Sequence, residues 1–124
     1  MESPFKGKTG LRRLINAFGY SMAGLRAAYR HEDAFRQEVL LAVILLPLAF
    51  HLGDTALQTA LMVACVFLVM IVELLNSSIE AAVDRISLEQ HPLAKRAKDI
   101  GSAAVLLSLI NLVVVWGTLL CWRI

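Results

Sequence analysis

The chain has 124 residues, 58% of them hydrophobic, and a mean hydropathy of +0.67. That is too apolar for a soluble domain of this size, and the length leaves room for only a few membrane-spanning helices. The formal net charge of +2 reflects where Lys and Arg sit around apolar runs, and no nucleic-acid partner is expected from it.

Residues 1–9 are polar, contain Pro4 and Gly7, and are expected to be frayed. Gly7, Lys8 and Thr9 match the end of a phosphate-binding P-loop, but Glu2 stands where that motif needs its first glycine and no strand precedes it. The first thirty residues lack a continuous apolar core and a small-residue cleavage pattern, so no cleavable signal peptide is expected. Over 10–30, Leu11, Leu14, Ile15, Phe18, Met22, Leu25 and Tyr29 recur at three- and four-residue spacing. Arg12, Arg13, Asn16, Tyr20 and Arg26 lie largely off that stripe. The spacing predicts an amphipathic helix in the membrane interface, either a lipid anchor alone or one side of a ligand site framed by Arg13 and Tyr20.

The polar stretch 31–38 follows, with Glu32 and Arg36 expected to pair at i,i+4. Apolar runs then occupy 39–52, 56–75 and 100–122. The second and third are long enough to cross a hydrocarbon core of ~30 Å, while the first must borrow from 34–38. Spans are therefore expected at 34–52, 56–84 and 100–122, with a single membrane domain and a cytoplasmic loop at 85–99. Pro47 is expected to bend the first span, and Gly53 and Asp54 to close a tight outer turn. All of the Lys and Arg except Arg123 lie before the first apolar run or between Ile79 and Asp99. The positive-inside rule then places the N-terminus and the 85–99 loop in the cytoplasm.

The middle span carries the unusual feature. Glu80 and Asp84 each fall within roughly 20° of Glu73 at 100° per residue, with Asn76 and Ser77 flanking them. A carboxylate in hydrocarbon costs at least a few kcal/mol unless it faces a partner, an ion or the bundle interior. A lone acid is explained by snorkelling or pairing with a Lys or Arg. Three carboxylates and an amide on one face form an oxygen-rich surface suited to Mg²⁺. Glu73 and Glu80 lie about 10.5 Å apart along the axis, too far to share one ion, so two roles are implied.

In the last segment Pro92 breaks or starts a helix. Lys95, Arg96 and Lys98 are explained by the positive-inside rule. Lys98 and Asp99 also sit at the depth of Glu80 and Glu32, where Lys98 suits a phosphate and Asp99 a hydroxyl or amine. Ser108 and Asn111 are expected to hydrogen-bond between helices, and Trp116, Trp122 and Arg123 to anchor the outer interface. Cys65 and Cys121 lie in different apolar runs and read as two buried thiols.

Four stretches together resemble the bacterial integral-membrane diacylglycerol kinases. The first is the face of Glu73, Asn76, Ser77, Ile79, Glu80, Val83 and Asp84. The others run from Gly19, Tyr20 and Ser21 through Arg26 to Ala28; from Glu32 through Ala34, Phe35, Arg36 and Gln37 to Glu38; and from Arg96 through Lys98 and Asp99 to Val105. The resemblance implies an all-α homotrimer, each chain with an interfacial helix and three membrane helices. Its activity would be transfer of the γ-phosphate of MgATP to the hydroxyl of 1,2-diacylglycerol, giving phosphatidic acid in the bacterial inner membrane. By motif matching, Glu73 falls on the general base and Glu32 and Glu80 on the metal-binding carboxylates. Arg13, Tyr20, Glu32, Glu80, Glu89, Gln90, His91, Lys98 and Asp99 fall on ATP-contacting positions. The lipid substrate falls to Arg13, Ala17, Phe18, Gly19, Tyr20, Ser21, Met22, Arg26, Ala27, Ala28 and Tyr29 on the first helix. Ala34, Phe35, Arg36, Gln37, Glu38, Glu73 and Ser102 complete that set. Asn76, Ser77 and Asp84 support the polar face. Met22 and Tyr29 depart from the tryptophans expected there, and Ser87 from glycine. Two alternatives stand beside this reading: a kinase for another lipid alcohol such as undecaprenol, and a non-enzymatic trimeric membrane module.

Overall fold

The computed structural model describes residues 9–86 and 91–122. Glu89, Gln90, Ser87, Arg123 and the Gly7–Lys8 pair lie outside the described residues. Four helices follow one another: α1 (Gly10–His31), α2 (Asp33–Leu52), α3 (Ala56–Ile86) and α4 (Pro92–Cys121). The last three are long and apolar enough to cross a membrane.

α3 is the central element, packing most extensively against α4, less against α2, while α1 touches α2 only slightly. Its 31 residues rise roughly 46 Å, about three turns more than a ~30 Å core requires. The outer turn is built by local chemistry. The Thr55 hydroxyl accepts from the Gln58 N–H at 3.1 Å, and Gln58 Oε1 accepts from the Asp54 N–H at 2.9 Å, a variant of the capping box that starts α3. Gly53 is required there because a Cβ would collide with the Thr59 hydroxyl.

A core of Ala42, Ala49, Met62, Cys65, Val66 and Trp116 joins the outer halves of α2, α3 and α4. The α3–α4 seam is pinned by the Trp116 indole N–H, which donates to the Met62 carbonyl at 3.1 Å, and by Asn111 Nδ2, 3.6 Å from Cys65 Sγ. Trp116 is therefore buried in the bundle, whereas an interface anchor was expected; only Trp122 stays exposed. Ser108 also departs from expectation, since its hydroxyl bonds the Val105 carbonyl of its own helix at 2.7 Å. Of the two thiols, Cys65 is buried and Cys121 exposed.

The expected loop at 85–99 is largely helical. Arg85 and Ile86 end α3, and α4 already begins at Pro92. The reason is local: Pro92 fits the first turn of a helix, and His91 caps it, its Nδ1 accepting from the Leu93 N–H at 3.1 Å. At the α1–α2 bend the Arg36 guanidinium donates to the carbonyls of Tyr29 (2.8 Å) and Arg30 (2.9 Å) and pairs with Asp33. It thus satisfies carbonyls that the end of α1 would otherwise leave unpaired. The expected Glu32–Arg36 pair is replaced by this clamp, because the chain bends at Glu32, which lies in extended backbone between the helices.

Candidate active site

The polar face of α3 is assembled at the end of the bundle that carries the α1–α2 bend. Glu73 is buried at 5% exposure, with Asn76 and Ser77 at 8% each, on a helix whose other neighbours are aliphatic. Glu80, one turn further out, is half-buried and Asp84 exposed, so the stripe grades from dry to wet over three turns. Asn76 Nδ2 donates to Glu80 Oε1 at 3.4 Å, linking the two depths.

Acids from other segments converge on Glu73. The charges of Glu80 and Glu32 are close enough to repel it, and so is that of Glu38 on α2. One oxygen of Glu38 is shut off from solvent without a hydrogen-bond partner. Four carboxylates from α2, α3 and the bend before α2 therefore share one electrostatic neighbourhood. Among the described residues no three His, Cys, Asp or Glu side chains close into a metal cage. Half-exposed Glu32 and Glu80 instead fit an ion that brings most of its own oxygen ligands, as a nucleotide-bound Mg²⁺ does.

Cations arrive on α4. Lys98 Nζ lies 2.6 Å from Asp84 Oδ1, tying α4 to the wet end of the stripe, and Asp99 is held by Lys95 at 2.7 Å on the outer side of α4. His91 is occupied as the helix cap described above.

Between α1 and α3 runs a groove of about 700 Å³. Its walls include Ser21, Gly24, Leu25, Ala27, Ala28 and His31 of α1, Glu32 of the bend, and Leu74, Ser77, Ser78 and Ala81 of α3. Of the residues matched to the lipid site, Ser21, Ala27 and Ala28 thus face Leu74, Ser77, Ser78 and Ala81 of α3 across this groove, with Glu32 in its wall. Phe35 is buried in α2, and Arg36 serves the bend. Ala17, Phe18, Gly19, Met22, Arg26 and Tyr29 lie on the exposed surface of α1, Arg13 and Tyr20 with them. Ala34, Gln37 and Ser102 are exposed as well. The groove and the polar face of α3 share Ser77; the exposed face of α1 is not brought onto them.

Two features escaped the sequence. Glu38 of α2 has a carboxylate oxygen shut off from solvent without a hydrogen-bond partner, a burial that no single-helix pattern contains. Gly101 of α4 is buried against Asn76; it belongs to the 96–105 stretch that carries the resemblance, but that stretch gave no sign of the contact.

Three helices long and apolar enough to cross a membrane, an N-terminal helix with an exposed apolar surface and a polar face centred on buried Glu73 define a small membrane protein. Comparison with known proteins narrows the class. Residues 19–120 match the family model described as prokaryotic diacylglycerol kinase. The diacylglycerol kinase of Pseudomonas aeruginosa is 59% identical over 118 residues, covering 95% of this chain and 96% of the relative. Those of Haemophilus influenzae and Escherichia coli K12 are each 52% identical over 112 residues, covering 90% of this chain and 95% and 92% of the relatives. The chain belongs to the prokaryotic diacylglycerol kinase family.

Proposed function

We propose that this protein is an ATP-dependent diacylglycerol kinase that moves the γ-phosphoryl group of MgATP to the free hydroxyl of 1,2-diacylglycerol, yielding phosphatidic acid and ADP. The observation that carries this reading is Glu73, buried with Asn76 and Ser77 in the polar face of α3, the helix that forms one wall of the groove beside α1. On this reading Glu73 lies at the glycerol level of the bilayer, beside the diacylglycerol hydroxyl.

Glu73 acts as general base. The hydroxyl oxygen attacks the γ-phosphorus, the bond to the β,γ-bridging oxygen breaks, ADP leaves, and the hydroxyl proton passes to the Glu73 carboxylate. Glu32 and Glu80, nearer water, hold the Mg²⁺ that accompanies the nucleotide; that ion neutralises phosphate charge when bound. Lys98 turns from Asp84 toward the phosphates, and Asp99 with the 89–91 segment holds the nucleoside. The groove lined by Ser21, Ala27, Ala28 and Leu74 takes the glycerol and the first part of the acyl chains. Most of the rate comes from positioning and electrostatics.

The chain works as a homotrimer in the bacterial inner membrane, with the N-terminus and the acid face cytoplasmic. The distribution of Lys and Arg supports the orientation. The exposed Arg13 and Tyr20 support the oligomer, since on this reading a neighbouring copy supplies the nucleotide they contact. Labelled ATP with diacylglycerol or undecaprenol in mixed micelles tests the substrate. Phosphatidic acid should form and phosphorylated undecaprenol should not; the reverse outcome would move the chain to the other lipid alcohol.

A further inference from the structure

Gly101 lies in α4 where that helix crosses the polar stripe of α3. A Cβ built on it would collide with Asn76 Oδ1, and Asn76 Cγ would lie 3.3 Å away. The Asn76 carboxamide therefore occupies the space that any other residue at 101 would fill. Asn76 is 8% exposed, and its Oδ1 is closed to solvent with no hydrogen-bond partner. Its Nδ2 donates to Glu80 Oε1. Turning the amide over would set Oδ1 against the Glu80 carboxylate, two acceptors face to face, so the orientation is fixed by chemistry as well as by space.

We propose that Gly101 is a positioning residue for phosphoryl transfer: its missing side chain is the seat of the Asn76 carboxamide, which in turn aims Glu80. This rests on the kinase reading of the acid face. A side chain at 101 displaces the far end of Asn76, not the backbone of α3. The helix pair therefore survives while the Asn76–Glu80 link is lost.

The test compares wild type, Gly101→Ala, Asn76→Ala and the double variant, purified whole in detergent. Gly101→Ala should keep its helical circular dichroism but lose kcat by roughly ten- to a hundredfold, as misplaced reacting groups do. Its half-saturating Mg²⁺ should rise and its KM for diacylglycerol stay unchanged. In melting experiments Gly101→Ala should raise the transition temperature more in the Asn76→Ala background than in wild type, because only there is the new methyl free of a clash. Should Gly101→Ala fail to fold, a double variant that folds like Asn76→Ala supports the seat, and one that fails alike overturns it. Wild-type kinetics in Gly101→Ala, or equal melting shifts in both backgrounds, would also overturn it. An inactive wild type would instead strike at the kinase reading itself.

Discussion

Lys98 Nζ lies 2.6 Å from Asp84 Oδ1, joining the inner end of α4 to the wet end of the acid stripe on α3. Both side chains are about half exposed, so the pair is open to exchange when a phosphate competes for the ammonium. Lys98→Met should raise the KM for MgATP by roughly ten- to a hundredfold, the usual worth of a charge-assisted contact, with the melting temperature nearly unchanged. Asp84→Asn should do far less, since it releases Lys98 without removing it. Steady-state kinetics on both variants checks this, and equal losses would assign Lys98 to the α3–α4 junction alone.

Glu80 is half-buried and linked to Asn76. Glu80→Gln keeps the shape but removes the charge, so activity should fall by about tenfold or more and recover in part as Mg²⁺ is raised. An unaltered Mg²⁺ profile would show that Glu80 does not hold the ion.

Arg36 ties the last carbonyls of α1 to the start of α2. Arg36→Ala should cost about 1–3 kcal/mol and release the C-terminal turn of α1, read as faster amide exchange over 28–32. Arg36→Lys should not rescue it, because an ammonium on a flexible stem cannot bridge both carbonyls and Asp33 in one fixed geometry. Since α1 forms one wall of the groove, the KM for diacylglycerol should rise with the exchange rate.

Much of this molecule can be read one helix at a time. Span lengths, the amphipathic character of α1 and the shared face of Glu73, Glu80 and Asp84 follow from periodicity, which is a local property. What escaped depends on how helices rotate against each other. Trp116 looks like an interface anchor by its position near the chain end, yet the rotation of α4 points it at Met62. The Arg36 clamp needs the bend at Glu32 before its carbonyl acceptors exist. Gly101 and Asn76 lie in different helices, and only the crossing of α3 and α4 turns a glycine into a seat. The start of α4 at Pro92 was legible in kind, since proline suits a first turn, but the apolar run beginning at Ile100 masked the two polar turns before it.

Trp116 also supplies a control far from the chemistry. It lies roughly 27 Å along α4 from Lys98. Trp116→Phe should lower stability by about 1 kcal/mol, the worth of an inter-helix hydrogen bond in a membrane protein, and leave kcat and both KM values intact. A large loss of activity would mean that the outer half of the bundle shapes the acid face.

The most direct measurement pairs turnover with nucleotide binding in Glu73→Gln. If buried Glu73 takes the hydroxyl proton while other residues hold MgATP, labelled phosphatidic acid should become nearly undetectable, and calorimetric titration should return a Kd for MgATP within about threefold of wild type. A Glu73→Gln protein that still phosphorylates diacylglycerol at a wild-type rate, or one whose nucleotide affinity collapses together with its rate, would contradict the account.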